Sequence, residues 1–194
     1  MYRSLKRLID IILSLVSLIL LSPLFLLIAV WIKLDSSGPV LFCQKRIGIN
    51  LEPFIIYKFR SMTVDTPQDT PTHLLQGSKS HITKSGRFLR KLSLDELPQL
   101  ANILKGDMSL VGPRPALWNQ FDLIEEREKY SANAIRPGLT GWAQVNGRDE
   151  LPIPDKAKLD GEYVRKVSFI FDLQIIFKTV LSVIRTQGIK EGTD

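Results

Sequence analysis

A single cysteine, Cys43, is present among 194 residues. That excludes an internal disulfide framework and any Cys-rich zinc site, and it is compatible with a reducing compartment. Histidine is almost as scarce. His73 and His81 are the only two, and they fall in a polar stretch where solvated side chains, not a catalytic pair, are expected. Neither a Walker loop nor a dinucleotide fingerprint occurs, and no internal repeat or low-complexity tract is present. The net charge of +6, from 26 Lys+Arg against 20 Asp+Glu, is too small to mark a dedicated nucleic-acid binder. A composition of 44% hydrophobic and 24% charged residues fits a folded chain, not a disordered one.

Charge is missing altogether from residues 11–32. As one helix this segment would extend about 33 Å at roughly 1.5 Å per residue, enough to cross a bilayer. The sequence after it, Trp31-Ile32-Lys33-Leu34-Asp35, offers no small-residue cleavage site, which disfavours a secretory signal. Ser22-Pro23 interrupts the middle. Pro23 removes one backbone donor and its ring presses on the carbonyl of Ile19, so a kink is expected there. The Ser22 hydroxyl can serve the freed backbone. Each leg is then about half a bilayer long. Arg3, Lys6 and Arg7 precede the segment, and Lys33, Lys45 and Arg46 follow it. A hairpin entering and leaving by the same face satisfies the positive-inside rule at both ends; a straight span satisfies it at one. Both readings stay open at this point, with a buried core helix as the third.

Residues 40–44 and 54–60 read as two strands joined by a turn at Gly48-Ile49-Asn50. The second places Lys58 and Arg60 on one face and Tyr57 and Phe59 on the other. Residues 63–85, with Pro67, Pro71 and Gly77, read as a long mobile loop. Helices are expected over residues 85–92, over 95–105 with Gly106 as the stop, and over 118–130. Residues 111–115 read as a rigid loop and residues 137–148 as a glycine-rich one. Residues 171–185 carry Leu173, Ile176, Phe177, Val180 and Ile184 on one helical face, suited to a core or to a membrane surface.

Asp95-Glu96 is the most informative pair. Ser93-Leu94-Asp95-Glu96 fits a capping box, but Pro98 argues for a later start. With Asp95 as the cap, Pro98 falls within the first turn, where backbone donors are free. Asp95 is then expected at a helix N-terminus, whose dipole favours the ionised form. Such a carboxylate can act as nucleophile or metal ligand, and Glu96 adds a second hard oxygen suited to magnesium. Capping alone accounts for the same residues, and spacing does not separate the two. In Val111-Gly112-Pro113-Arg114-Pro115, two prolines stiffen the backbone around one arginine, whose planar fork suits phosphate; a surface turn is the alternative. Lys58, Arg60 and Arg90 can add to the same positive field. Residues 137–148 mix glycines and amides with Trp142 and Arg148, and could cradle a sugar or a base.

Together these stretches resemble the small catalytic form of the bacterial sugar transferase family, the monotopic phosphoglycosyl transferases. The resemblance rests on Lys6-Arg7 with Asp10, Ser22-Pro23, the run YKFRSM at residues 57–62, LSLDELPQL at 92–100, KGDMSLVGPRP at 105–115 and PGLTGWAQVNGR at 137–148, in order along nearly the whole chain. It implies an α+β fold with two parts. Residues 1–35 would form a re-entrant membrane helix–break–helix, broken at Ser22-Pro23. Residues 36–194 would form a catalytic domain of a small β-hairpin and several amphipathic helices on the cytoplasmic face of the bacterial inner membrane. The implied reaction moves a phosphosugar from a UDP-sugar to polyprenol (undecaprenyl) phosphate, releases UMP and opens surface glycan or glycoconjugate synthesis. It would proceed by ping-pong through a phosphosugar-aspartyl intermediate, with Asp95 as nucleophile and Glu96 assisting at an Mg2+ site that Mn2+ could also fill. Arg114 would hold phosphate, and Lys58 and Arg90 match positions that line the site. Leu159-Asp160-Gly161-Glu162-Tyr163 hints at relatives acting on N-acetylated hexosamines. Two other classes remain to be weighed: a membrane-tethered Mg-dependent phosphate-ester hydrolase and a non-enzymatic scaffold bound to anionic lipid.

Overall fold

The computed structural model describes residues 2–67, 81–147 and 150–185. It opens with two helices, α1 (Tyr2–Leu20) and α2 (Ser22–Asp35). A hairpin of β1 (Leu41–Ile47) and β2 (Pro53–Phe59) follows. Then come α3 (Lys84–Lys91), a 3-10 turn at Leu94–Glu96, α4 (Gln99–Lys105) and β3 (Ser109–Val111). The chain continues through α5 (Phe121–Glu128), β4 (Gly138–Thr140), α6 (Trp142–Val145), α7 (Ile153–Lys166) and α8 (Phe169–Arg185). Strands β1 and β2 pair antiparallel, and β3 and β4 pair parallel. The expected α+β class holds.

The break between α1 and α2 lies where Ser22-Pro23 put it. Pro23 sits in the first turn of α2, and the Ser22 hydroxyl donates to the Ile19 carbonyl at 2.8 Å. The two helices meet at a bend of 61°. No single helix among the described residues is long and apolar enough to cross a membrane; the bent pair together is, by length and composition. A straight continuous helix over residues 11–32 is therefore not what forms.

Polar side chains stitch this pair to the rest. Arg7 donates to the carbonyls of Ile103 and Leu104 in the last turn of α4. Asp10, buried in α1, accepts from Ser109 Oγ at 2.7 Å and from the Leu110 backbone N–H at 3.1 Å. Lys6 and Tyr2 both reach Asp172 of α8. At the far end, Arg60 donates to the carbonyls of Ser36 and Ser37 just past α2, and Asp35 accepts from the backbone and hydroxyl of Ser85 in the first turn of α3. Gly38 makes the Arg60 contact possible. Its φ is +119°, and an added Cβ would lie 2.0 Å from the guanidinium. Apolar packing agrees: Ile28 and Ile32 share a core with Phe59 and Leu89.

Several expectations shift. The hairpin strands begin and end within three residues of their anticipated positions, with the Asn50 turn at φ 53°. The helix expected from residue 95 starts at Gln99, and Gly106 ends it in a left-handed conformation as anticipated. Of the long loop at 63–85, residues 68–80, including His73, lie outside the described residues. Its described ends are ordered: Met62 bridges Ile82, Thr63 N–H donates to the His81 carbonyl, and Thr83 caps α3 through Gly86 N–H. His81 lies 3.7 Å from Asp65. Helix α7 had no sequence-based assignment. Helix α8 packs through Asp172 and Ile175, while Leu173, Phe177 and Val180 of the anticipated apolar face point outward.

Helix α7 is held to α5 by a buried ion pair, with Arg127 Nη2 2.6 Å from Asp160 Oδ2 and side chains only 4% and 1% exposed. Truncating one member strands the other charge in a dry site. Asp160→Ala should cost about 3–5 kcal/mol of stability, read as a lower midpoint in denaturant titration; an unchanged midpoint would show the pair to be dispensable.

Candidate active site

The site is assembled where β2, the turn before α4 and the loop after β3 converge. Ser93 takes a left-handed φ of 54° and turns the chain out of α3 into the 3-10 turn Leu94–Glu96. No side chain caps this turn or α4, so neither Ser93 nor Asp95 plays the capping part read from spacing. The reason is the turn itself. Asp95 lies inside it, ahead of the helix, and both carboxylates are more than nine-tenths buried. Neighbouring residues of a 3-10 turn point about 120° apart, so adjacent acids take different partners.

Glu96 is committed to cations. Its Oε1 accepts from Lys58 Nζ at 2.8 Å and from Arg114 Nη2 at 2.8 Å, while Arg114 Nη1 stands 3.5 Å from Oε2. Asp95 instead lines a cavity of about 140 Å³ together with Lys58, Arg90, Gln44 and Arg46. Burial pushes the Asp95 carboxyl above its ordinary value; Lys58 pulls it down, the Glu96 charge pushes it up, and Arg90 and Arg114 pull it down. Burial likewise lowers the Lys58 ammonium, opposed by Glu96. Where a helix dipole was expected to favour ionised Asp95, burial instead pushes the carboxyl upward, with Lys58, Arg90 and Arg114 opposing it.

Arg114 is held by backbone pairing on both sides of its loop. Gly112 N–H donates to the Thr140 carbonyl and Gly138 N–H to the Pro113 carbonyl, each at 2.8 Å. Ile47 N–H donates to the Ala116 carbonyl at 3.0 Å, and Arg46 Nη1 donates to the Pro115 carbonyl at 3.1 Å. Backbone pairing orders the described part of the glycine-rich stretch, residues 137–147. It forms β4 and α6, and Gly138 and Gly141 let β4 cross Gly112, whose backbone an added Cβ at either position would meet at 2.1 Å. Trp142 is used in packing: its indole N–H donates to Glu162, and its ring lies against Phe171. Leu159–Tyr163 is also structural, since Asp160 pairs with Arg127 and Tyr163 donates to the Val111 carbonyl and to Asp172.

Of the other anticipated residues, Arg90 reaches the cavity from α3. Arg60 shares the strand face and lines the cavity, but its Nη atoms donate to the end of α2 and not to the cavity. Arg148 lies outside the described residues. Ser22 and Pro23 lie at the helix break. Sequence reasoning passed over Gln44 and Arg46 as site residues. Gln44 Oε1 accepts from Arg46 Nε at 3.0 Å and Nη2 at 2.6 Å, orienting the guanidinium that braces the Arg114 loop. The signal was available: Phe42 pairs with Lys58, so Gln44 and Arg46 share its face by period-2 alternation.

Comparison with known proteins agrees with this arrangement. The family model described as bacterial sugar transferase matches residues 1–186. The chain is 43% identical over 187 residues to an uncharacterized sugar transferase, EpsL, of Bacillus subtilis, covering 96% of this chain and 91% of that protein. It is 46% identical over 186 residues to the undecaprenyl-phosphate glucose phosphotransferase of Komagataeibacter xylinus, covering 90% of this chain and 35% of that one. It is 40% identical over 193 residues to the UDP-N-acetylgalactosamine-undecaprenyl-phosphate N-acetylgalactosaminephosphotransferase of Aeromonas hydrophila, covering 96% of this chain and 45% of that one. The chain therefore spans less than half the length of the last two. Matched over almost its whole length, it belongs to the bacterial sugar transferase family.

Proposed function

We propose that this protein transfers a sugar phosphate from a UDP-sugar to polyprenol phosphate and releases UMP. The observation that carries the reading is the split of the dyad: Glu96 is occupied by Lys58 and Arg114, while Asp95 lines the cavity that Lys58 and Arg90 also line. A diphosphate entering there meets guanidinium and ammonium groups already oriented, which offset the repulsion a carboxylate would otherwise meet. Asp95 Oδ attacks the phosphorus bonded to the sugar. The bond from that phosphorus to the bridging oxygen breaks, and UMP leaves with that oxygen. A phosphate oxygen of polyprenol phosphate then attacks the same phosphorus, restores the Asp95 carboxylate and yields the polyprenyl diphosphate sugar. The two displacements through one carboxylate make the kinetics ping-pong.

The residues fit a hard divalent ion, Mg2+ with Mn2+ as substitute, in one limited way. Among the described residues no cluster of three or more His, Cys, Asp or Glu side chains stands ready to hold a metal, and Glu96 is engaged by two cations. Asp95 is the carboxylate left to contribute. Magnesium commonly takes one or two carboxylates and completes its shell from substrate phosphates and water, and it would supply charge neutralisation on the diphosphate. The 61° helix pair and the exposed Leu26, Leu27, Leu173 and Phe177 support attachment to one face of a membrane. With cations at both ends of the pair, that face is the cytoplasmic one of a bacterial inner membrane.

The test is a panel of UDP-sugars, glucose and N-acetylhexosamine forms included, offered with polyprenol phosphate while UMP is measured. Turnover with at least one donor is expected, and only with lipid acceptor once Asp95 carries the sugar phosphate; release of phosphate or sugar phosphate without acceptor would favour the hydrolase. In the same assay Asp95→Asn should remove turnover almost entirely while the protein stays folded and membrane-bound, and near-normal UMP release would sink the nucleophile. Arg114→Lys keeps charge but loses the fork that spans both Glu96 oxygens, so a fall of about 10-fold or more in kcat/KM is expected. Kinetics like the unaltered protein would make Arg114 a surface turn. EDTA should abolish turnover, and added Mg2+ should restore it; full activity in chelator would reject the metal.

A further inference from the structure

Glu96 borders a second cavity that the reaction above leaves unused. It is about 420 Å³, against about 140 Å³ for the one lined by Asp95. Its walls come from α1, the turn before α4, the β3–β4 pair and α8, and include Leu13, Leu97, Leu139, Ile176 and Val183. The two threonines in it are satisfied by protein: Thr140 and Thr179 hydroxyls lie 2.6 Å apart, and Thr179 also donates to the Ile175 carbonyl. An alkyl chain laid on them would strand no hydroxyl.

Two features say what fits. At one end stands Glu96 with the cations it gathers, Lys58 and Arg114. At its lip, Leu13 and Val180 line the groove and are also exposed, and along the same two helices Ile12, Val16, Leu173 and Phe177 are exposed too. The groove thus joins exposed apolar side chains to Glu96, a gradient from apolar to charged lining. That gradient matches one kind of molecule, a long hydrocarbon chain ending in a phosphate. A nucleotide sugar has no apolar portion to bury there. We infer that this groove holds the first isoprene units of the polyprenol phosphate acceptor, so that the two substrates reach the dyad from two cavities: the donor beside Asp95 and the lipid beside Glu96. The inference rests on the transferase reading and adds the acceptor's path to it.

The experiment separates the two. The full chain in lipid nanodiscs is given the UDP-sugar that the panel selects. Exchange of labelled UMP into UDP-sugar without lipid reads the donor half-reaction; transfer to polyprenol phosphate reads the whole. Ser182→Phe places a ring in the groove wall away from the dyad. The ratio of lipid-dependent transfer to exchange, at limiting lipid, should fall at least about 10-fold, the equivalent of lost contact with roughly two methylenes. The unaltered protein is also photolabelled with a polyprenol phosphate carrying a diazirine on its second isoprene unit. Label on peptides containing Leu139, Ile176 or Val183 is expected. An unchanged ratio, or label confined to the outward faces of α2, overturns the groove while leaving the transferase intact. Absence of exchange with every donor overturns the transferase reading itself.

Discussion

One oxygen of Glu96 governs the site. It accepts from Lys58 on β2 and from Arg114 on the loop after β3, at 2.8 Å each. Those three residues come from segments that share no local contact in sequence. A buried carboxylate with one cation removed would be left uncompensated, and such a loss is costly in a dry setting. The pairing therefore works as a register for the tertiary structure. The hairpin, the turn carrying the dyad and the Arg114 loop can come together in one arrangement that leaves no charge stranded. It also decides which acid is available: with Glu96 taken, Asp95 is the one that faces the cavity with Lys58 and Arg90.

The same logic of polar contacts at element ends positions the N-terminal helix pair. Helix α1 is apolar outside, with Asp10 and Ser14 buried on its inner side. Asp10 meets Ser109 and Leu110, and Arg7 meets the carbonyls of Ile103 and Leu104 at the end of α4. Arg60 performs the corresponding service at the end of α2. Since α4 follows directly from the dyad and β3 leads directly into the Arg114 loop, the helix pair and the site are fixed to each other through short rigid pieces. The proposed reaction between a lipid acceptor and a water-soluble donor would need such a coupling, because its chemistry would occur at a set depth from the apolar surface.

Much of this was legible residue by residue. Pro23 breaks a helix wherever it falls inside one, and Ser22 beside it has few partners other than the Ile19 carbonyl. The alternation of residues 54–60 put Lys58 on a strand face, and Gly106 ended α4 as a residue without Cβ can. Other residues have contacts that pattern could not show, for a common reason. Arg60 looked like a further phosphate cation, because pattern gives the face of a strand but not the carbonyls waiting beyond its end. The glycines at 138 and 141 show in sequence that the backbone is approached closely without showing by what; the neighbour is Gly112. Gln44 and Arg46 were not legible as site residues, since a glutamine and an arginine on a strand are ordinary until the loop they brace is seen.

What the sequence by itself determined is local: where helices break and stop, which strand residues share a face, and that a charge-free segment must find an apolar environment. These follow from backbone sterics and period, which act over a few residues. Six motifs in order also carried the family resemblance. The tertiary structure alone decided which groups each carboxylate meets, Glu96 pairing with Lys58 and Arg114 while Asp95 lines the cavity. Adjacent carboxylates are equivalent in a linear chain. They become different when a 3-10 turn points them about 120° apart and two distant cations close on one of them.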